Sequence, residues 1–126
     1  MPAIRMLCRE EPLRLDPEGL AALYLEIGEA RAPEVLAEAL RDLAEGVARA
    51  RELRRDGRLF DLALCADRLE RIAGAIGLTG LARVAADVAD LSESGDRAAL
   101  AATLARLDRV AHQSLRMIWR LQEMSG

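Results

Sequence analysis

The feature that most constrains this chain is a spacing. Apolar or small residues recur four and three positions apart in three runs. These are Leu36, Leu40, Leu43, Val47, Ala50, then Leu62, Ala66, Leu69, Ala73, Ile76, then Leu100, Leu104, Leu107, Ala111, Ser114, Ile118, Leu121. Steps of four and three keep successive side chains on one stripe of an α-helix, whereas a half-buried strand needs strict alternation. Composition supports the helical reading. There are 24 alanines and 22 leucines but one Phe, one Tyr and one Trp, too few aromatic and β-branched residues for a β-sandwich. With 52% hydrophobic residues and a net charge of −3, the chain is not a disordered tail either.

Helix boundaries are readable from local chemistry. Asp16-Pro17-Glu18 supplies an N-cap, a proline at the first helical position and an acidic first turn, and Gly28 closes the run. Helix one therefore covers about 16–28. Ala32-Pro33-Glu34 opens a second helix that ends at Arg55, before Asp56-Gly57. A third starts near Arg58 or Leu59 and stops at Gly77. Thr79 is the expected cap of a fourth, with stripe Leu81, Val84, Ala85, Val88, Leu91. Asp96 caps a fifth, over 96–124. Short loops between amphipathic helices imply antiparallel neighbours. The expected architecture is a single all-α domain, 1–126: an up-and-down four-helix bundle over 32–124, with helix one lying across one end as a lid and residues 1–15 forming an N-terminal arm.

Charge and cysteines exclude several functions. Every one of the 18 basic residues is arginine, and the net charge is negative, so no face suited to nucleic acid is expected. The densest basic run, Arg49, Arg51, Arg54, Arg55 and Arg58, falls at the end of the second helix, where positive charge suits the helix dipole. Cys8 and Cys65 form no metal-binding spacing. Cys65 sits beside an apolar stripe as a small core residue. The first fifteen residues carry Arg5, Arg9, Glu10, Glu11 and Arg14, a pattern of neither a signal peptide nor a membrane span. A cytoplasmic protein without metal or cofactor is expected.

The informative segment is Asp56 to Leu81, DGRLFDLALCADRLERIAGAIGLTGL. It resembles the signature of histidine-containing phosphotransfer (Hpt) domains. That family has an Ala-His-x-Leu-Lys-Gly-x-Ala core, followed after three residues by Gly and four further on by Leu. Ala66, Leu69, Ala73, Gly77 and Leu81 occupy the matching framework positions, with Ile76 before Gly77. The flanks match in helix order and in the Ser94-Gly95-Asp96 turn, so the likeness spans roughly residues 16–110.

The departures fall on the chemistry. The phosphoacceptor histidine position is Asp67, the lysine position Glu70 and the glycine position Arg71. In the family the imidazole accepts the phosphoryl group, the lysine neutralises its charge, and the glycine leaves room for the partner's active-site face. Glu70 would repel a phosphoryl group and Arg71 adds bulk. The resemblance implies a degenerate, non-enzymatic Hpt-like protein of a bacterial two-component phosphorelay, one that binds a receiver domain or a histidine kinase without carrying phosphate.

On a helical wheel with Leu62, Ala66, Leu69 and Ala73 inward, Phe60, Leu64, Asp67, Arg71 and Gly74 gather on the outer side. With Arg68 and Glu70 they form the candidate partner-binding face, apolar residues rimmed by charge. The alternative is that helix one or the N-terminal arm packs over Phe60 and Leu64. Two other functions stay open. His112, the only histidine, lies outside the motif but is the one candidate for an active phosphocarrier. The last helix carries a second series, Thr103, Leu107, Val110, Ser114, Met117, Leu121 and Met124, with Trp119 nearby. Val110, Met117, Leu121 and Met124 would then seat a second copy of the chain, unless the N-terminal arm packs there.

Overall fold

A computed structural model describes residues 16–125 of the chain; the N-terminal arm and Cys8 lie outside the described residues. Five helices follow one another: α1 Pro17–Ile27, α2 Ala32–Arg55, α3 Leu59–Ala75, α4 Thr79–Ser92 and α5 Arg97–Ser125. The described residues contain no strand. Helices α2 to α5 form the bundle. Each packs on its neighbours in chain order, and α5 closes the ring against α2. The three 4-3 series, as far as Ile118, face one core, in which Leu36, Leu43, Leu62, Leu69, Leu107 and Ile118 are almost wholly buried.

Local signals explain the boundaries. The Asp16 carboxylate accepts from the Glu18 amide at 3.1 Å, and the Asp96 carboxylate accepts from the Ala99 amide at 3.0 Å, so both expected caps form. Thr79 does not cap α4. It is the first helical residue, and Leu78 holds the cap position with no side-chain hydrogen bond. The reason lies one turn earlier, where α3 ends in a Schellman motif. The Leu78 amide donates to the Ala73 carbonyl at 2.9 Å and the Gly77 amide to Gly74 at 3.2 Å. That closure buries Leu78, at 1% exposure, and leaves α4 to start directly behind it. Helix α2 ends the same way, with Arg58 donating to Leu53 and Gly57 to Arg54.

Helix α1 touches α2, α3 and the turn between α3 and α4. Its anchor is backbone on backbone: the Asp16 amide donates to the Gly77 carbonyl at 2.7 Å. Gly77 holds φ +83°, and a Cβ there would lie 2.6 Å from the Asp16 carbonyl oxygen. Glycine is thus required at this turn twice, for its left-handed backbone and for the approach of α1. A second close approach brings α2 onto α3. Leu69 packs over Gly46 so tightly that a Cβ would sit 2.4 Å from Leu69 Cδ2. Buried hydroxyls bond within their own helices, Ser92 to the Val88 carbonyl and Ser114 to that of Val110, each at 2.7 Å.

The second seam on α5 needs correction. Val110 is 3% exposed, Leu107 and Ser114 are equally enclosed, and Met117 packs against the core. Because α5 lies between α4 and α2, its wide stripe is consumed by two neighbours of its own chain. Val110 is therefore not available to a second copy. The side chains of Leu121 and Met124 lie outside what is described.

Candidate functional site

The site is the outer face of α3. The core residues Leu62, Ala66, Leu69 and Ala73 fix the rotation of this helix by pointing into the bundle. The same rotation turns Phe60, Leu64, Asp67, Arg68, Arg71 and Gly74 outward, all exposed, while Glu70 is half-buried. Phe60 is 75% exposed and Leu64 52%. Helix α1 does not cover them; it docks at the other end of α3, against Gly77. Nothing lies within 4 Å of where a Gly74 Cβ would be, so the outer face is open above the second half of the helix as well.

The charges on this face are arranged differently from simple pairing along α3. Arg68 reaches across to Asp42 of α2 at 3.7 Å rather than to Asp67. Among the described residues, Asp67, Glu70 and Arg71 make no hydrogen bond or ion pair. An exposed pair such as Arg68–Asp42 adds little to stability; its effect is to draw the Arg68 guanidinium toward α2 and away from Asp67. On the flank of the helix, Cys65 Sγ donates to the Gly46 carbonyl at 3.4 Å. Burial pushes the Cys65 thiol up from its ordinary range, against the opposing pull of Arg68 and Arg49.

His112 is exposed on α5, the helix diagonally across the bundle from α3. It is therefore separated from the Asp67 face by the body of the bundle. The described residues contain no cluster of three or more residues arranged to hold a metal ion, and no described helix is long and apolar enough to cross a membrane.

No family model matches the sequence, and no curated protein matches it. Comparison with solved structures is decisive for the fold. The crystal structure of histidine-containing phosphotransfer protein B (HptB) from Pseudomonas aeruginosa PAO1 superposes with a TM-score of 0.80, covering 90% of this chain and 96% of that one at 18% identity. The chain has the Hpt fold. The framework residues quoted from the sequence are those that build it: Ala66, Leu69 and Ala73 line the interior of α3, Gly77 turns the chain, and Leu81 starts the buried stripe of α4. The Hpt-like bundle thus places Asp67 at the middle of an exposed helix face, flanked by the apolar pair one and two turns before it.

Two features escaped the sequence. One is the Gly46–Leu69 approach, for which a glycine inside a helical stripe with no punctuating role was the available signal. The other is a groove where Arg54 and Arg55, from the end of α2, meet Arg97 at the start of α5. No local pattern links residues more than forty positions apart.

Proposed function

We propose that this protein is a pseudo-phosphotransfer module of a bacterial two-component phosphorelay, binding a receiver domain or a histidine kinase through the outer face of α3 without carrying phosphate. The observation that carries the reading is the pairing of an Hpt fold with an exposed Phe60–Leu64 patch directly beside Asp67. Large apolar side chains held in water and rimmed by charge stabilise nothing in the isolated chain, and they are the usual centre of a protein interface. The chemistry of the same face argues against transfer. A phosphoacceptor needs a nucleophile and a neighbouring cation to take up the developing charge. Here the acceptor position is a carboxylate and the lysine position holds Glu70; of the two nearby arginines, Arg68 is drawn toward Asp42, and Arg71, at the glycine position, stands exposed without pairing to Asp67.

The test has two arms. Phosphorylated receiver domains from the same cell are incubated with wild type and with His112→Gln; neither protein is expected to take up label. Acid-labile phosphate on the wild type that disappears in His112→Gln would establish a phosphocarrier and overturn the reading. In the second arm, receivers and kinases are captured with wild type and with Phe60→Ala plus Leu64→Ala. Loss of capture by the double variant supports the α3 face, and unchanged capture excludes it.

A further inference from the structure

A second surface stands apart from the α3 face. At the α2–α3 end of the bundle, Arg54, Arg55, Gly57, Leu59, Arg97 and Leu100 line an open groove of about 470 Å³. Three arginines from two helices line it, and no carboxylate is among the lining residues. Elsewhere on this surface arginines are paired: Arg49 with Glu52, Arg58 with Asp61, Arg51 with Asp108. Arg54, Arg55 and Arg97 form no ion pair with any described residue. The helix dipole accounts for Arg54 and Arg55, which stand in the last turn of α2, but not for Arg97. That residue is the first of α5, where the dipole disfavours positive charge, and the Asp96 carboxylate at the cap is turned to the Ala99 amide and forms no ion pair with it.

We propose that this groove is a docking site for an extended acidic segment of another protein. Three observations select that occupant. Every charged residue of the lining is an arginine, in a chain whose net charge is −3, so the complement is an anion bound locally rather than by long-range attraction. Arg54 and Arg55 also line a neighbouring groove along the α2–α5 seam, with Arg51, Leu104 and Asp108. Asp108 is taken up by its ion pair with Arg51, so the unpaired charge shared by the two grooves is that of Arg54 and Arg55. Two adjoining grooves make an elongated site, a shape that suits a run of carboxylates better than a single compact ion. Leu59, 36% exposed, adds an apolar contact at the floor. Arginine forks match carboxylates with two parallel hydrogen bonds. Leu59 precedes Asp67 by eight residues, about 12 Å along α3, so the groove and the Asp67 face can be occupied and tested separately.

The experiment measures fluorescence anisotropy of a labelled decaglutamate peptide titrated with the full chain. Two parallel arms use a labelled oligothymidylate of equal charge and phosphatidylserine vesicles. The peptide is expected to bind, with affinity falling as salt is added. Arg54→Gln plus Arg55→Gln plus Arg97→Gln is expected to weaken it about tenfold, the sum of three exposed charge contacts. Arg97→Glu serves as a second variant: it is expected to melt slightly higher than wild type, because the first turn of α5 gains an acidic residue, and yet to bind the peptide less well. The proposal is overturned by absence of peptide binding, by triple-variant affinity equal to wild type, or by oligothymidylate or vesicles binding as tightly as the peptide. Phe60→Ala plus Leu64→Ala is expected to leave peptide binding intact, which separates this result from the fate of the α3 face.

Discussion

Replacing Gly77 with alanine probes the backbone contact that anchors α1 to the bundle, and Gly57 provides a matched control. Both glycines occupy the same position of a Schellman motif, with φ of +83° and +72°. They differ in surroundings. A Cβ at Gly57 meets nothing within 4 Å, whereas one at Gly77 meets the Asp16 carbonyl oxygen at 2.6 Å and the Leu20 amide nitrogen at 3.4 Å. Gly57→Ala therefore costs only the left-handed backbone, about 1–2 kcal/mol. Gly77→Ala costs the same and must also move α1. That breaks the Asp16–Gly77 hydrogen bond, about 1 kcal/mol, and peels the half-buried Leu20 and Leu23 from the core, a further 1–2 kcal/mol or about that. Any gain from a less flexible unfolded chain is common to both variants and cancels in the comparison. For 126 residues the unfolding entropy is about 0.26 kcal/mol per degree. The expected losses in Tm are then about 4–8 °C for Gly57→Ala and about 12–19 °C for Gly77→Ala. Thermal melts followed by far-UV circular dichroism measure both. Limited trypsin digestion adds an independent readout, because freeing α1 exposes the exposed Arg31 turn further and speeds cleavage there. Equal Tm losses together with unchanged cleavage would refute the view that α1 is held by backbone contact at Gly77.

Three other outcomes follow from the same structure. Asp96→Ala removes the cap of α5 and its hydrogen bond to Ala99, with an expected loss of about 1 kcal/mol in urea unfolding. Leu69→Ala empties a site that is 2% exposed and packed on Gly46, with an expected loss of about 2–5 kcal/mol by the same measurement. Alkylation of Cys65 by iodoacetamide is expected to be slow at neutral pH. Burial raises its pKa, so less of the reactive thiolate is present at any given pH than for a free thiol, and the rate climbs only at more alkaline pH; a rate matching free cysteine at neutral pH would contradict the burial seen here.

The sequence was most legible where one residue type has one mechanical use. The prolines at 17 and 33, the caps at Asp16 and Asp96, and the glycines at 57 and 77 set five helix boundaries to within a residue or two. The 4-3 stripes also set the rotation of α3, and with it the exposure of Phe60 and Leu64. Legibility ended where two partners compete for one stripe. The broad apolar surface of α5 is compatible with two seams, and only the placement of α2 and α4 shows that Leu107, Val110 and Ser114 of the second are enclosed within one chain. It ended again at Thr79, a good capping residue displaced by the tighter Schellman closure at Leu78. The arginine groove was invisible for a different reason: its members are brought together by the closing of the ring, not by any spacing along the chain.

Asp67 and Arg71 are exposed and, like the half-buried Glu70, form no hydrogen bond or ion pair with any described residue, and this has a consequence for how freely the protein can vary. Exposed positions whose side chains make no polar contact are weakly seen by any selection for stability. A library randomised at Asp67 and Arg71 should return folded bundles for most insertions other than proline and glycine, which weaken a helix interior. On the function proposed above, what then sorts the folded members is a partner's surface, and the scaffold beneath is largely indifferent to whether that surface asks for a carboxylate or an imidazole.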